Sequence, residues 1–136
     1  MHRFARASAF AAAALALGLG ASTIAASTAV AQTMPAKTAQ GAGGPMLTDA
    51  TGMTLYVFDK DTGGKSACNG QCAANWPPLK APDDAKAMGD YTVVTRDDGA
   101  KQWAYKGKPL YTWNKDTKAG DATGDNVNNV WHVARP

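Results

Sequence analysis

The chemistry open to this chain begins with Cys68 and Cys72, its only two cysteines, four residues apart in SACNGQCAANWPP. Thiols at that spacing can close a local disulfide, clip a soft metal or work as a redox dithiol. A helical turn starting near Ser66 would bring both onto one face with Cα atoms about 6 Å apart, inside the disulfide range. The loop so closed is short, and chain entropy assigns it only about 2 kcal/mol. The rival is copper. Two cysteine sulfurs with the imidazole of His132 make a soft set suited to Cu(I), although a histidine between Trp131 and Val133 also fits a half-buried strand position. Redox dithiols typically carry C-x-x-C and covalent haem requires C-x-x-C-H; neither spacing occurs. The expectation is a Cys68–Cys72 disulfide with no metal or cofactor, and Cys68, Cys72 and His132 as the alternative copper ligands.

Acid–base machinery is scarce. The only histidines are His2 and His132, and every acidic residue is Asp. No nucleophile–base constellation emerges, so no catalytic residue is assigned and a non-enzymatic protein is expected. The loop from Asp116 to Asn129 lacks the alternating acids and terminal Glu of an EF-hand and reads as a polar turn.

Compartment decides between the cysteine chemistries. Residues 1–31 combine a basic head (His2, Arg3, Arg6), an apolar run and an Ala29-Val30-Ala31 site, the pattern of a secretory signal peptide cleaved near Ala31. The apolar run is short for a transmembrane anchor. A periplasmic or secreted product is expected, where two cysteines in a small domain usually pair. Arg3 and Arg6 leave with the signal, so 12 Lys and Arg face 11 Asp. That balance gives no electrostatic case for nucleic acid or an anionic membrane. A monomer is expected, with a small ligand or an envelope component as partner. Residues 32–44 are small and polar and read as a flexible linker, leaving one domain over 45–136.

An internal repeat must position these residues. GMTLYVFDKDT (Gly52–Thr62) and GKPLYTWNKDT (Gly107–Thr117) match at a constant offset of 55, which also superposes Trp76 on Trp131. The copies run over about 52–79 and 107–134 and should pack on one another around one core. Each opens as a strand, with Leu55 and Val57 on one side and Tyr56 and Phe58 on the other; Leu110 and Thr112 oppose Tyr111 and Trp113 likewise. Residues 91–105 read as an antiparallel meander and 129–134 as a further strand. The fold class is mostly β, one small domain of antiparallel strands, with a short helical turn at the cysteines.

Tyr56-x-Phe58-x-x-Asp61 and Tyr111-x-Trp113-x-x-Asp116, together with SACNGQCAANWPPL, RDDGAKQWAYKGKPLY and VWHV, carry a resemblance over nearly all of the mature domain. The chain resembles a family of secreted bacterial repeats described as predicted lipoproteins with a Yx(FWY)xxD motif. The resemblance implies a cell-envelope location and no particular activity. This chain departs from the lipoprotein label in having no lipid-attachment cysteine. Within the motif, the aromatics are expected to fill the core and Asp61 and Asp116 to cap turns by accepting backbone N–H bonds. Four Trp and four Tyr also raise a ligand platform in which Trp76, Trp103 and Trp131 form a core or an aromatic-rich binding face.

Overall fold

The computed structural model describes Thr33–Pro136. The expected signal peptide and its cleavage site lie outside these residues.

Each copy begins earlier than its motif, with a β-hairpin. In the first, β1 (Lys37–Gly41) pairs antiparallel with β2 (Gly44–Thr48). The chain then enters β3 (Tyr56–Phe58) and, after the cysteine loop, α1 (Gln71–Asn75). In the second copy, β4 (Tyr91–Thr95) pairs with β5 (Lys101–Tyr105), which also pairs with β6 (Lys108–Pro109). An irregular turn at Val127–Asn129 leads into β7 (Trp131–Val133). The stretch expected to be a flexible linker therefore holds β1. Its small polar composition fits a strand that is mostly exposed, with β2 supplying the buried Met46, Leu47 and Thr48. The meander over 91–105 and the final strand lie where the sequence placed them, but the strand expected over Leu110–Trp113 does not form: β6 ends at Pro109 and Tyr111 makes isolated bridges, one of them to Pro78, which has no N–H to extend a ladder.

The copies complete one another by exchanging their return segments. β3 of the first copy pairs with β7 of the second, setting Phe58 opposite Trp131. The reciprocal pairing sets Tyr111 opposite Pro78, with Thr112 N–H donating to the Pro77 carbonyl at 2.8 Å. Proline has no N–H to return, so this side is a bridge where its counterpart is a ladder. At the centre Tyr56 and Tyr111 exchange backbone bonds of 2.8 and 2.9 Å. Leu47 N–H reaches the Ala134 carbonyl and Trp103 N–H reaches the Leu79 carbonyl, so each hairpin is capped by the other copy's return segment.

Side-chain alternation along these strands divides the interior into two clusters instead of the single core expected. One face gathers Leu47, Leu55, Tyr91, Trp103, Leu110 and Ala134, with Val57 against them. The other gathers Met46, Tyr56, Cys68, Trp76, Tyr111, Trp131 and Val133, with Phe58 and Trp113 at its margin. The expected facing of Leu55 and Val57 against Tyr56 and Phe58 is thus observed. Trp103, carried on β5 of the separate β4–β5–β6 sheet, packs in the first cluster and not with Trp76 and Trp131.

Candidate functional site

The second cluster is a stack of four rings. Trp76 and Trp131 lie face to face at 3.8 Å between centroids. Phe58 stacks outside Trp131 at 4.2 Å, and Trp113 outside Trp76 at 3.9 Å. Neighbours in this order always come from different copies. Tyr56 and Tyr111 then meet Trp76 and Trp131 edge-on at 5.3 and 5.1 Å, the geometry in which a positive ring edge meets a negative face.

Both motif aspartates act across the copies. Tyr56 donates its hydroxyl proton to Asp116 Oδ2, and Tyr111 to Asp61 Oδ2, each at 2.6 Å. The other carboxylate oxygen closes the loop that follows. Asp61 Oδ1 accepts Ala67 N–H at 2.6 Å, and Asp116 Oδ1 accepts Thr123 N–H at 3.0 Å. The expected turn-capping is therefore present, and the cross-copy phenol bond is an addition that single-copy reasoning missed. Its signal was available: Tyr and Asp recur together, five residues apart, in both copies. Burial, and then the bond to Asp116 or Asp61, pushes both phenols well above the ordinary tyrosine range. Burial also raises Asp61, against the opposing pull of Ala67 N–H, the Tyr111 hydroxyl and Arg96.

Cys68 and Cys72 are joined in a disulfide with Cα atoms 5.2 Å apart. Helix α1 starts at Gln71, after Gly70 at φ 57, so only Cys72 is helical. Gly70 supplies the left-handed step that turns the chain between the two sulfurs. Buried Arg96 holds this loop from the second copy. Its guanidinium donates to Ser66 Oγ and Gln102 Oε1, both at 2.8 Å, and to the Cys68 carbonyl. No sequence signal marked Arg96, which is a lone cation beside the turn Asp97-Asp98-Gly99.

The copper set is not assembled. Both sulfurs are consumed by the disulfide, and His132 Nε2 pairs with Asp59 Oδ2 at 2.7 Å. Among the described residues no three His, Cys or Asp side chains cluster as metal ligands.

The aromatic-rich face also takes a different form. Trp76, Trp103 and Trp131 are at most 5% exposed, so their faces pack on neighbours. What reaches solvent is an open cleft of about 440 Å³, where Phe58, Trp76 and Trp131 meet Cys72, Lys60, Asn75, Asn128 and Val130. Phe58, half-buried at the end of the stack, forms its apolar wall.

Two copies of one strand-exchanged β unit, sharing an aromatic stack and reciprocal Tyr–Asp bonds, define this as a two-repeat domain. A family model described as a secreted repeat of unknown function matches residues 37–80 and 92–135, and the chain belongs to that family. The matched segments start at the hairpins and keep the offset of 55 seen in the motif. No curated protein and no solved structure matches the chain. The family is described as secreted, and no described helix is long and apolar enough to cross a membrane.

Proposed function

We propose that this protein is a non-catalytic envelope module that binds a glycan in the cleft beside the disulfide. The observation that carries this reading is the pairing of an aromatic wall with two amides. Phe58 and the edges of Trp76 and Trp131 offer C–H and ring surface to a sugar, while Asn75 and Asn128 offer donors and acceptors to hydroxyl and acetamido groups. Lys60 adds one cation to the rim. A polyhydroxylated ligand suits a cleft that is open and only partly apolar. The disulfide and Arg96 fix the Cys72 side of this cleft, which limits the ordering cost of binding.

The test is titration of the full secreted chain with soluble N-acetylglucosamine oligomers, followed by tryptophan fluorescence, since two of the cleft rings are indoles. A saturable change that Phe58→Ala weakens about tenfold is expected, one stacking contact being worth roughly 0.5–1.5 kcal/mol. No saturable change at millimolar oligomer would remove the glycan reading.

A further inference from the structure

The ribbon of β3 and β7 has a second face, and it carries a different chemistry. Phe58 and Trp131 line the glycan cleft on one side. Val57 and His132, their neighbours in the ladder, point to the other side, into a separate pocket of about 340 Å³. We propose that this pocket binds a phosphorylated small molecule with an apolar or aromatic body.

Charge is the first reason. Lys106, Lys108 and Arg135 converge on the pocket, and its one lining carboxylate, Asp59, is already paired with His132. These three are a quarter of the 12 Lys and Arg in a region where cations and acids nearly balance. Among the described residues none of the three forms an ion pair. Three cations against the one Asp59 carboxylate leave the pocket lining with an excess of positive charge.

The second reason is backbone geometry. Lys106 sits at φ 49, followed by Gly107 at φ 80, in the two-residue turn between β5 and β6. That turn favours Asn or Gly at both positions, because a Cβ is strained at positive φ. A lysine there raises the backbone energy and adds nothing to the core. What it does provide is an ammonium on the pocket rim, its Nζ 5.2 Å from the Tyr105 ring centroid. A non-glycine residue held in a costly conformation beside a cavity is the pattern of a functional site.

Anchoring is the third. Arg135 donates Nη1–H to the Pro45 carbonyl at 3.0 Å and Nη2–H to the Ala42 carbonyl at 3.4 Å. Those bonds position the guanidinium from the β1–β2 turn and leave further N–H groups for a phosphoryl oxygen. Val57 and the Tyr105 ring supply an apolar surface for the rest of the ligand.

The experiment uses the full secreted chain and three probes, each followed by backbone NMR: phenyl phosphate, inorganic phosphate and phosphatidylglycerol vesicles. Saturable shifts at Val57, Tyr105 and His132 are expected with phenyl phosphate, weaker ones with inorganic phosphate, and both should fade as salt is raised. Lys106→Gly suits the turn and keeps the fold, yet should weaken phenyl phosphate binding about tenfold, the size of one lost charge-assisted contact. Lys108→Met should act in the same direction. Phe58→Ala should leave this binding unchanged, which separates the pocket from the glycan cleft. The proposal is overturned if no saturable shift appears, if Lys106→Gly and Lys108→Met both leave the affinity unaltered, or if vesicles bind while phenyl phosphate does not.

Discussion

The first and second copies share a frame and differ in how they close it. In both, the Tyr of Tyr-x-aromatic-x-x-Asp lies in extended backbone and reaches the other copy's Asp, and a Trp returns to the central stack. Beyond the Asp the solutions diverge. The first copy ties its loop with the disulfide and clamps it with buried Arg96. The second uses hydrogen bonds: Asp116 holds Thr123 through both N–H and Oγ1, and Asp121 gathers Thr117 and Lys118, whose N–H groups depress its carboxyl. Where the second copy places Gly124, its backbone lies so close to Trp76 that an added Cβ would stand 2.7 Å from the ring. The exchanged Tyr–Asp–Trp set is the constant requirement, then, and the loop is closed by whatever chemistry its sequence allows.

The reciprocal core is the part of this comparison most open to attack. Trp76→Ala and Trp131→Ala should each destabilise the domain by about 3–5 kcal/mol, because either leaves a large cavity at the centre of the stack. Chemical denaturation measures this; losses below about 1 kcal/mol at both positions would end the shared-core account.

Next in size is the phenol exchange. Tyr56→Phe and Tyr111→Phe should cost about 2–3 kcal/mol each, since each deprives a buried or half-buried carboxylate of its donor. The pair also sets an alkaline limit. With both phenols raised in the folded state, their stabilisation is complete below the ordinary value of 10.0 and is lost as pH rises through the folded values. Tyrosinate absorbance should therefore develop together with unfolding, and each Tyr→Phe variant should lessen that pH dependence. Asp61 is raised too, so it disfavours folding where it is ionised, and that penalty lifts as pH falls through its folded value towards 3.8. Unchanged alkaline unfolding in both Phe variants would count against the exchange.

Loop closure should be cheaper. Replacing Cys68 and Cys72 by Ala is expected to remove about 2 kcal/mol while leaving the fold in place. Hydrogen exchange should then quicken around residues 61–75 and leave 116–130 unaffected. If both loops open together, the copies are closed cooperatively and not independently. Alkylation of the native protein before reduction should label neither cysteine; two labels would restore the thiol chemistries.

The smallest expected effect lies at Asn128, whose φ of 53 glycine tolerates freely. Asn128→Gly should change stability by less than about 0.5 kcal/mol, yet weaken glycan binding by removing an amide from the cleft. Intact binding would move the ligand away from the second copy's turn.

By itself the sequence determined the repeat, the motif and the strand alternation, and it favoured the local disulfide over the copper alternative. All of these are written in fixed spacings: a period of 2 along strands, an offset of 55 between copies and a separation of four positions between the cysteines. Even so, β1 (Lys37–Gly41) reads as linker in the sequence, because a strand lying mostly exposed has no apolar alternation to announce it. Only the tertiary structure decided which copy each Tyr serves, that Trp103 belongs to the other cluster, and that the aromatic faces are spent on one another. Tertiary packing alone also brought Lys106, Lys108 and Arg135 to one pocket, and Arg96 to the cysteine loop. The physical reason is strand exchange. When each copy completes its partner, the decisive contacts join residues 50 or more positions apart, and no local pattern encodes them.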